Sequence, residues 1–183
     1  MDLSKNARAV FALLFALTLI SCGKPQPATP STVVLIVRHA EKASDAEDSP
    51  LTEAGAERSR ALVHVAEAAG VSAIYTTQFK RNRDTAQPLS ERLKVSVTEL
   101  PVKDLQNPGD YGKTLARDIT EKHAGQTVLV VGHSNTVPLI LEALTGRPAP
   151  VDHAEYGDLF IVTVPPSGSP GLIKAQYGAA AAK

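Results

Sequence analysis

The sequence predicts an α/β fold with parallel strands, and its two most apolar segments carry most of that prediction. Residues 32–37 and 127–131 are runs of β-branched and aliphatic residues without alternation. Such runs are typical of strands buried on both faces of a sheet, the usual state of parallel strands. Ligand sites in open α/β sheets lie just beyond the carboxyl ends of the strands. The residues that follow these two segments are therefore the first candidates for a functional site.

Composition limits the classes of function. The chain has 183 residues and 43% hydrophobic residues, which suits one domain with a proper core. Its formal net charge is zero, so no basic field favours nucleic acid, and affinity for a phosphorylated ligand must come from local cations. The only cysteine is Cys22. The rest of the chain therefore offers no thiol nucleophile, disulfide or cysteine-ligated zinc site.

The first 22 residues have the organisation of a targeting segment. Lys5 and Arg8 form a basic region, and the apolar residues 10–20 are too short to span a bilayer comfortably. The sequence Leu-Ile-Ser-Cys ending at Cys22 resembles the bacterial lipobox, which implies cleavage before Cys22 and its lipidation. We expect a lipoprotein of the bacterial cell envelope that faces the periplasm, and Gly23 favours the outer membrane. The alternative is a plain secretory signal or an uncleaved anchor.

Residues 23–31, with the sequence GKPQPATPS, predict a tether. Three prolines in nine residues and no apolar period indicate an extended segment. At roughly 3.1 Å per residue, it would hold the domain about 28 Å from the membrane. The folded domain is then expected over residues 32–178, followed by a frayed tail at 179–183.

Helix caps and apolar runs predict the remaining elements. Thr52 and Glu53 are suited to begin a helix that runs to residue 69, before Gly70. Pro138 fits the first turn of a helix that ends before Gly146. Further helices are expected at about 80–93 and 111–122, and further strands at 71–76, 95–100, 158–164 and 172–177.

Histidine and arginine residues follow three of the predicted strands. Arg-His-Ala-Glu occupies 38–41, and Gly-His-Ser occupies 132–134. Lys80, Arg81 and Arg83 share one helix, and at 100° per residue they cannot all face the same way. One of them is expected to face the site. The acidic cluster at 45–48 has no second ligand cluster to complete a coordination sphere, so we interpret it as a solvated loop and predict no metal.

Four motifs lie in order along the chain: Arg38-His39-Ala40-Glu41, Leu51-Thr52-x-x-Gly55, Tyr75-Thr76-Thr77-x-x-x-Arg81-x-x-x-Thr85-Ala86 and Gly132-His133-Ser134. In this order they resemble the motifs of the histidine phosphatase superfamily, whose fold is phosphoglycerate-mutase-like. A single motif would be weak, but four in the right order on the right elements are specific. The resemblance covers about residues 32–177 and is greatest to the short single-domain members of the family. It implies a three-layer α/β/α sandwich with a mostly parallel central sheet.

The resemblance implies a role for each residue of a phosphate pocket. His39 would be the nucleophile that becomes phosphohistidine, Arg38 and Arg81 would clamp the phosphoryl oxygens, and His133 would be the second pocket histidine. Phosphoryl transfer needs fixed positive charge around the equatorial oxygens, which guanidinium groups supply. A neutral imidazole attacks through its unprotonated nitrogen, so the other nitrogen of His39 should donate to a backbone carbonyl or similar acceptor. The candidate substrate contacts are Arg38, Arg81, His133, Thr77 and Ser134, with helix capping as the alternative for Thr77.

The general acid is left open by the sequence. Many relatives have a Glu in an acidic motif after the third strand, and others have an Asp directly after the second histidine, where this chain has Ser134. Glu99 and Asp104 are the nearest candidates, and each could equally be a surface residue. Some small relatives that act on phosphohistidine have no such acid, because imidazole leaves more easily than an alkoxide.

The sequence therefore predicts a phosphatase without a cofactor, acting on a phosphomonoester or phosphoramidate through phosphohistidine at His39. Its expected partners are a small phosphorylated substrate or a phosphohistidine, and the membrane reached through Cys22. One alternative is a pocket that binds a phosphorylated ligand without turnover. The other is a phosphomutase, which residues 42–45 disfavour because they lack the Thr and Asn that mutases carry after the first histidine.

Overall fold

The protein is described by a computed structural model over residues 29–179. The predicted targeting segment, Cys22, most of the tether and residues 180–183 lie outside the described residues, so the lipid anchor stays a prediction. Within 29–179, no helix combines the length and the apolar character needed to cross a membrane.

The described residues form an α/β fold in which a mixed sheet of six strands is flanked by four helices. The strands are β1 (Thr32–Arg38), β2 (Val71–Thr76), β3 (Val97–Glu99), β4 (Thr127–Gly132), β5 (Asp158–Val164) and β6 (Gly171–Gln176). The helices are α1 (Glu53–Ala68), α2 (Lys80–Leu93), α3 (Tyr111–Lys122) and α4 (Thr136–Thr145). The sheet order is β3-β2-β4-β1-β5-β6. Strands β3, β2, β4 and β1 are parallel, whereas β5 and β6 are antiparallel to their neighbours.

The two faces of the sheet are covered by different helix pairs, which confirms the three-layer sandwich. Leu62 of α1 and Leu89 of α2 belong to one buried cluster, together with Leu35 and Val37 of β1. Ile119 of α3 and Leu141 of α4 belong to the other, with the intervening residues of β1. Successive strand residues point to opposite faces, so a strand covered on both sides must be apolar throughout. This explains the unbroken apolar runs of β1 and β4.

The element boundaries differ most from the expectations at the edges of the sheet. The third strand was expected over 95–100, but β3 pairs over only three residues, because it lies at an edge and is mostly exposed. The last strand was expected over 172–177 and is Gly171–Gln176, an exposed edge strand. Helix α4 begins two residues before Pro138, which lies in its first turn as expected.

Candidate active site

The parallel pairing of β1 and β4 brings two histidines side by side. Arg38 is in register with Gly132, and the backbone N–H of His39 donates to the carbonyl of Gly132 at 2.9 Å. His39 and His133 therefore leave adjacent strands at the same edge of the sheet. Their ring centroids are 5.3 Å apart with an interplanar angle of 66°, and both residues are buried. Two histidines 94 positions apart in the sequence thus share one site, as the motifs predict.

The tautomer of His39 is set by a backbone contact. Its Nδ1 lies 2.8 Å from the carbonyl oxygen of Ala40, so Nδ1 carries the proton and donates. The pKa of His39 is lowered to about 3. Burial is the main cause, and the cations Arg38, Arg81 and Lys42 act in the same direction, whereas the hydrogen bond to Ala40 acts in the opposite direction. The ring is therefore neutral near pH 7, with an unprotonated Nε2. This is the state that a nucleophilic histidine requires.

Arg38 and Arg81 are buried cations on the wall of the same site. Arg38 donates to the backbone carbonyl of His153 and, at 3.2 Å, to the hydroxyl of Tyr156, whose ring centroid lies 4.0 Å from the guanidinium carbon. Arg81 donates to the carbonyl of Glu47. Each guanidinium keeps a buried Nε–H without a partner among the described residues. Because a buried donor without a partner is unfavourable, these two groups are suited to receive the oxygens of an anion.

His133 is held as a neutral ring between a threonine and an arginine. Its Nε2 lies 2.9 Å from Oγ1 of Thr77, and its Nδ1 lies 3.4 Å from a guanidinium nitrogen of Arg81. The pKa of His133 is lowered to about 2, mainly by burial and also by the neighbouring His39, Arg81 and Arg38. A guanidinium can only donate, so Nδ1 accepts and Nε2 carries the proton. A bound phosphoryl dianion would raise the pKa of His133 because opposite charge favours the imidazolium form.

These side chains line a pocket of about 430 Å³ that is open to solvent. This volume is within the usual range for small-molecule sites. Three cations lie on its wall, and no carboxylate of the part of the chain that the structure describes lines it. The lining residues are Arg38, His39, Lys42, Arg81, Leu105, Gln106, His133, Ser134, Asn135 and His153.

The other candidate residues differ in their distance from the pocket, and of these only Ser134 is on its wall. Glu99 is exposed and lies 3.8 Å from Arg83, and Asp104 caps the backbone N–H of Gln106 beside a neighbouring cavity. Thr77 is fully buried and contacts the ring of His133, so the structure gives it a positioning contact. Ser134 does line the pocket, and its hydroxyl lies 2.9 Å from Nδ1 of His153.

Lys80, Arg81 and Arg83 all lie in the first turn of α2, and of these three only Arg81 reaches the pocket. Lys80 pairs with Asp84 one turn further along the helix, at 3.0 Å. Arg83 lies near Glu99 and Asp48, at 3.8 Å and 4.0 Å. The expectation that one of the three faces the site is confirmed, and the position of the helix identifies it.

Several further residues hold the site in place, and most of them lie outside the recognised motifs. Asn82 donates through Nδ2 to the carbonyls of Val131 and Gly132, both at 3.0 Å, which fixes the start of α2 against the end of β4. Thr85 accepts from the backbone N–H of Ala40 at 2.9 Å. His153 and Tyr156 come from the loop before β5 and contact Arg38. No sequence signal identifies these last two, because only the fold brings this loop to the end of β1.

The turn after His39 is fixed by a partly buried ion pair and a glycine. Glu41 accepts three hydrogen bonds from Arg58 of α1, the shortest at 2.7 Å, and Arg58 also donates to the carbonyl of Tyr177 at 3.0 Å. Gly55 packs so closely that a Cβ there would lie 2.4 Å from the carbonyl oxygen of Glu41. A glycine at this position therefore lets the start of α1 pack against the backbone of Glu41.

Part of the chain matches the sequence profile of a known family. Residues 34–107, which include Arg38, His39 and Arg81, match the profile described as histidine phosphatase superfamily (branch 1). A comparison with curated protein sequences finds no match.

Solved structures with the same fold include several named as phosphatases and one named as a mutase. The protein histidine phosphatase SixA, complexed with tungstate, has a TM-score of 0.63 at 23% identity, with 79% of this chain and 96% of that chain covered. Phosphoglycerate mutase from Bacillus anthracis has a TM-score of 0.62 at 16% identity, with 81% and 94% covered. The α-ribazole phosphatase from Shigella flexneri has a TM-score of 0.59 at 14% identity, with 73% and 94% covered. These likenesses define a phosphoglycerate-mutase-like fold.

Proposed function

We propose that the chain is a member of the histidine phosphatase superfamily that hydrolyses a phosphomonoester or phosphoramidate through a phosphohistidine at His39. One observation carries most of this proposal. The neutral imidazole of His39, with Nδ1 donating to Ala40, shares a pocket with two buried guanidinium groups that each keep a free Nε–H. This combines a nucleophile with a site for a tetrahedral dianion. The tungstate in the related SixA structure is itself a tetrahedral oxyanion.

In the first step, the lone pair on Nε2 of His39 attacks phosphorus. The P–N bond forms as the bond to the leaving group breaks, and its electron pair departs with the leaving group. Arg38 and Arg81 hold the equatorial oxygens, where charge is greatest in the transition state. His133 lines the same pocket and adds positive charge when the bound dianion favours its protonation.

In the second step, water hydrolyses the phosphohistidine. Its oxygen attacks phosphorus, the P–N bond breaks, and the electron pair returns to Nε2. The Nδ1–H donated to Ala40 stays in place throughout, so the ring needs no change of tautomer between turnovers. The products are inorganic phosphate and the neutral His39 that began the cycle.

Hydrolysis of p-nitrophenyl phosphate by the full-length chain in detergent tests the proposal. Wild type should release phosphate, and His39→Gln should lose turnover while it still binds vanadate, because both guanidiniums remain. Urea unfolding of both proteins controls for stability. Undiminished turnover by His39→Gln would exclude the nucleophile that the proposal assigns.

A non-catalytic phosphate-binding module is the second candidate, because no carboxylate among the described residues lines the pocket. It predicts vanadate binding by wild type without release of phosphate from any ester or phosphoramidate. A phosphomutase is a weaker candidate. It predicts that a phosphorylated cofactor is needed to prime His39 and that phosphate moves to a second substrate position instead of water.

The proposal includes a membrane anchor that holds the enzyme outside the cytoplasm. Its support is the apolar segment at 10–20 and the single cysteine at its end, followed by the proline-rich tether. Several acyl chains on Cys22 would give stable attachment, whereas one chain would bind only marginally. Labelled fatty acid should be incorporated into wild type expressed in bacteria and not into Cys22→Ala. Equal labelling of both proteins would contradict the anchor.

A further inference from the structure

The geometry points to His153 as the group that protonates the leaving oxygen of the substrate, oriented by Ser134. This inference rests on the proposed function and adds the proton donor that no carboxylate of the pocket wall can supply. It also sets the substrate class: with such a donor, the enzyme can cleave phosphate esters of ordinary alcohols, whose alkoxides need a proton in order to leave.

The position of His153 supports this role. It lies on the pocket wall in the loop between α4 and β5, and its backbone carbonyl accepts from the guanidinium of Arg38. The residue is exposed, and its Nδ1 lies 2.9 Å from Oγ of Ser134. Its Nε2 makes no hydrogen bond to any residue of the described chain. One side of the ring is thus fixed, and the other is free to meet a substrate atom.

The remaining titratable side chains of the pocket are committed elsewhere. His39 is the nucleophile, and the two ring nitrogens of the buried His133 contact Thr77 and Arg81. The two arginines do not release protons under ordinary conditions. Lys42 forms an ion pair with Asp45 at 2.6 Å. His153 is the side chain left on the pocket wall that can give a ring proton to a substrate atom and take one back.

Ser134 suits the position because a hydroxyl can serve both states of the imidazole. It accepts a hydrogen bond from Nδ1–H of the imidazolium, and it keeps that contact when the ring becomes neutral by losing the proton on Nε2. The orientation of the ring is therefore maintained through the transfer. Ser134 is a positioning residue, since it acts through His153.

The proposed step conserves charge and protons. As Nε2 of His39 bonds to phosphorus, the bond from phosphorus to the ester oxygen breaks and leaves its electron pair on that oxygen. The proton on Nε2 of the His153 imidazolium moves to the oxygen, so the alcohol leaves neutral and the ring of His153 becomes neutral. In the second step, the same Nε2 takes a proton from the attacking water, which restores the imidazolium.

The test compares two substrates in the full-length enzyme in detergent. p-Nitrophenyl phosphate yields a phenolate that is stable without a proton, whereas glycerol phosphate yields an alkoxide that is not. His153→Asn keeps an amide that can contact Ser134 but has no proton donor in place of Nε2. We compare kcat/KM, because this constant includes steps only up to the loss of the leaving group.

For His153→Asn, general acid catalysis predicts a loss of about 100-fold or more in kcat/KM for glycerol phosphate and less than about 3-fold for p-nitrophenyl phosphate. Ser134→Ala should show the same selectivity with a smaller loss, and Ser134→Thr should restore activity because it keeps the hydroxyl. Urea unfolding of each variant shows independently of activity that it is folded.

Equal losses on both substrates would overturn the inference, because they would indicate a structural role for His153. Unchanged kcat/KM on both substrates in His153→Asn would overturn it too. So would a loss confined to glycerol phosphate that appears in Lys42→Met and not in His153→Asn. All three results leave the proposed function intact, since wild type still turns over. A wild type that hydrolyses neither ester would instead contradict the proposed function, and the inference with it.

Discussion

Replacing Arg81 by alanine should reduce activity far more than the same change at Arg83, two residues along the same helix. Both side chains are arginines of α2 and both donate to nearby backbone carbonyls. They differ in surroundings: Arg81 is buried on the pocket wall over the ring of Phe79, and Arg83 is partly exposed beside Glu99. Arg83→Ala is therefore a matched control for the loss of one positive charge from the helix.

The size of the effect follows from the donors that Arg81 can offer to a phosphoryl group. One terminal nitrogen is engaged by the Glu47 carbonyl, which leaves Nε–H and the nitrogen near His133 for the transferred phosphate. A hydrogen bond to a charged group contributes about 1.5–3 kcal/mol, so losing two costs at least about 3 kcal/mol of transition-state stabilisation. That corresponds to a loss of about 150-fold in kcat/KM. Arg81→Lys should lose less, because the charge remains without the fork of donors.

Steady-state hydrolysis of p-nitrophenyl phosphate by the full-length proteins measures these ratios, with urea unfolding as the control for stability. For Arg83→Ala we expect a change of less than about 3-fold, as for a partly exposed charge far from the reacting atoms. Equal losses in Arg81→Ala and Arg83→Ala would show that only the overall charge of the helix matters. The reasoning from burial and free donors would then be refuted.

Further predictions concern the turn after β1 and the protonation of the pocket. A double-mutant cycle of Glu41→Ala and Arg58→Ala, measured by urea unfolding, should give a coupling free energy of about 2 kcal/mol, which lies between the values for buried and exposed ion pairs. Additive losses in the free energy of unfolding would contradict this prediction. Burial raises the pKa of Glu41, but the hydrogen bonds from Arg58 outweigh it and the pKa lies below its ordinary value. The pair's contribution is therefore present above the ordinary carboxyl pKa and is lost as the pH falls through the lowered one, so wild type should lose more stability on acidification than Glu41→Gln. Gly55→Ala should lower the free energy of unfolding by about 1–3 kcal/mol and reduce kcat/KM, because its Cβ would displace the backbone of Glu41; an unchanged protein would contradict the close packing. Nitrogen NMR of His39 and His133 should show neutral rings from about pH 8 to about pH 5, with phosphate raising the pKa of His133, and titration of either ring within that range without phosphate would contradict their buried state.

Sequence alone predicts the centre of the sheet better than its edges. The unbroken apolar runs of β1 and β4 identify them because a strand covered by helices on both faces has no polar alternation. Helix α3 has the bounds expected from its sequence, Tyr111–Lys122. Strands β3 and β6 are less accurate, because an exposed edge strand is defined by pairing with its one neighbour and its own sequence carries little of that information.

The candidate site divides in the same way between local and long-range information. Arg38, His39 and His133 follow strongly predicted strands, so the sequence places them at one edge of the sheet. Whether Arg81 or Arg83 faces the pocket depends on the orientation of α2 about its own axis. The resemblance implies Arg81, and in the structure Arg81 lines the pocket. His153 lies in a loop without a motif, and it reaches Arg38 from 115 positions away because β5 pairs with β1.

Rapid-quench trapping of the phosphoenzyme tests the central claim most directly. Full-length protein is mixed with p-nitrophenyl phosphate that carries a radioactive phosphoryl group, and the reaction is quenched in alkali. The protein is then digested and analysed for the modified residue and the modified ring nitrogen. We expect acid-labile label on Nε2 of His39, formed at least as fast as turnover and absent from His39→Gln, because the contact of Nδ1 with Ala40 leaves only Nε2 free to react. Turnover without label on His39, or label on Nδ1 of that ring, would contradict the account.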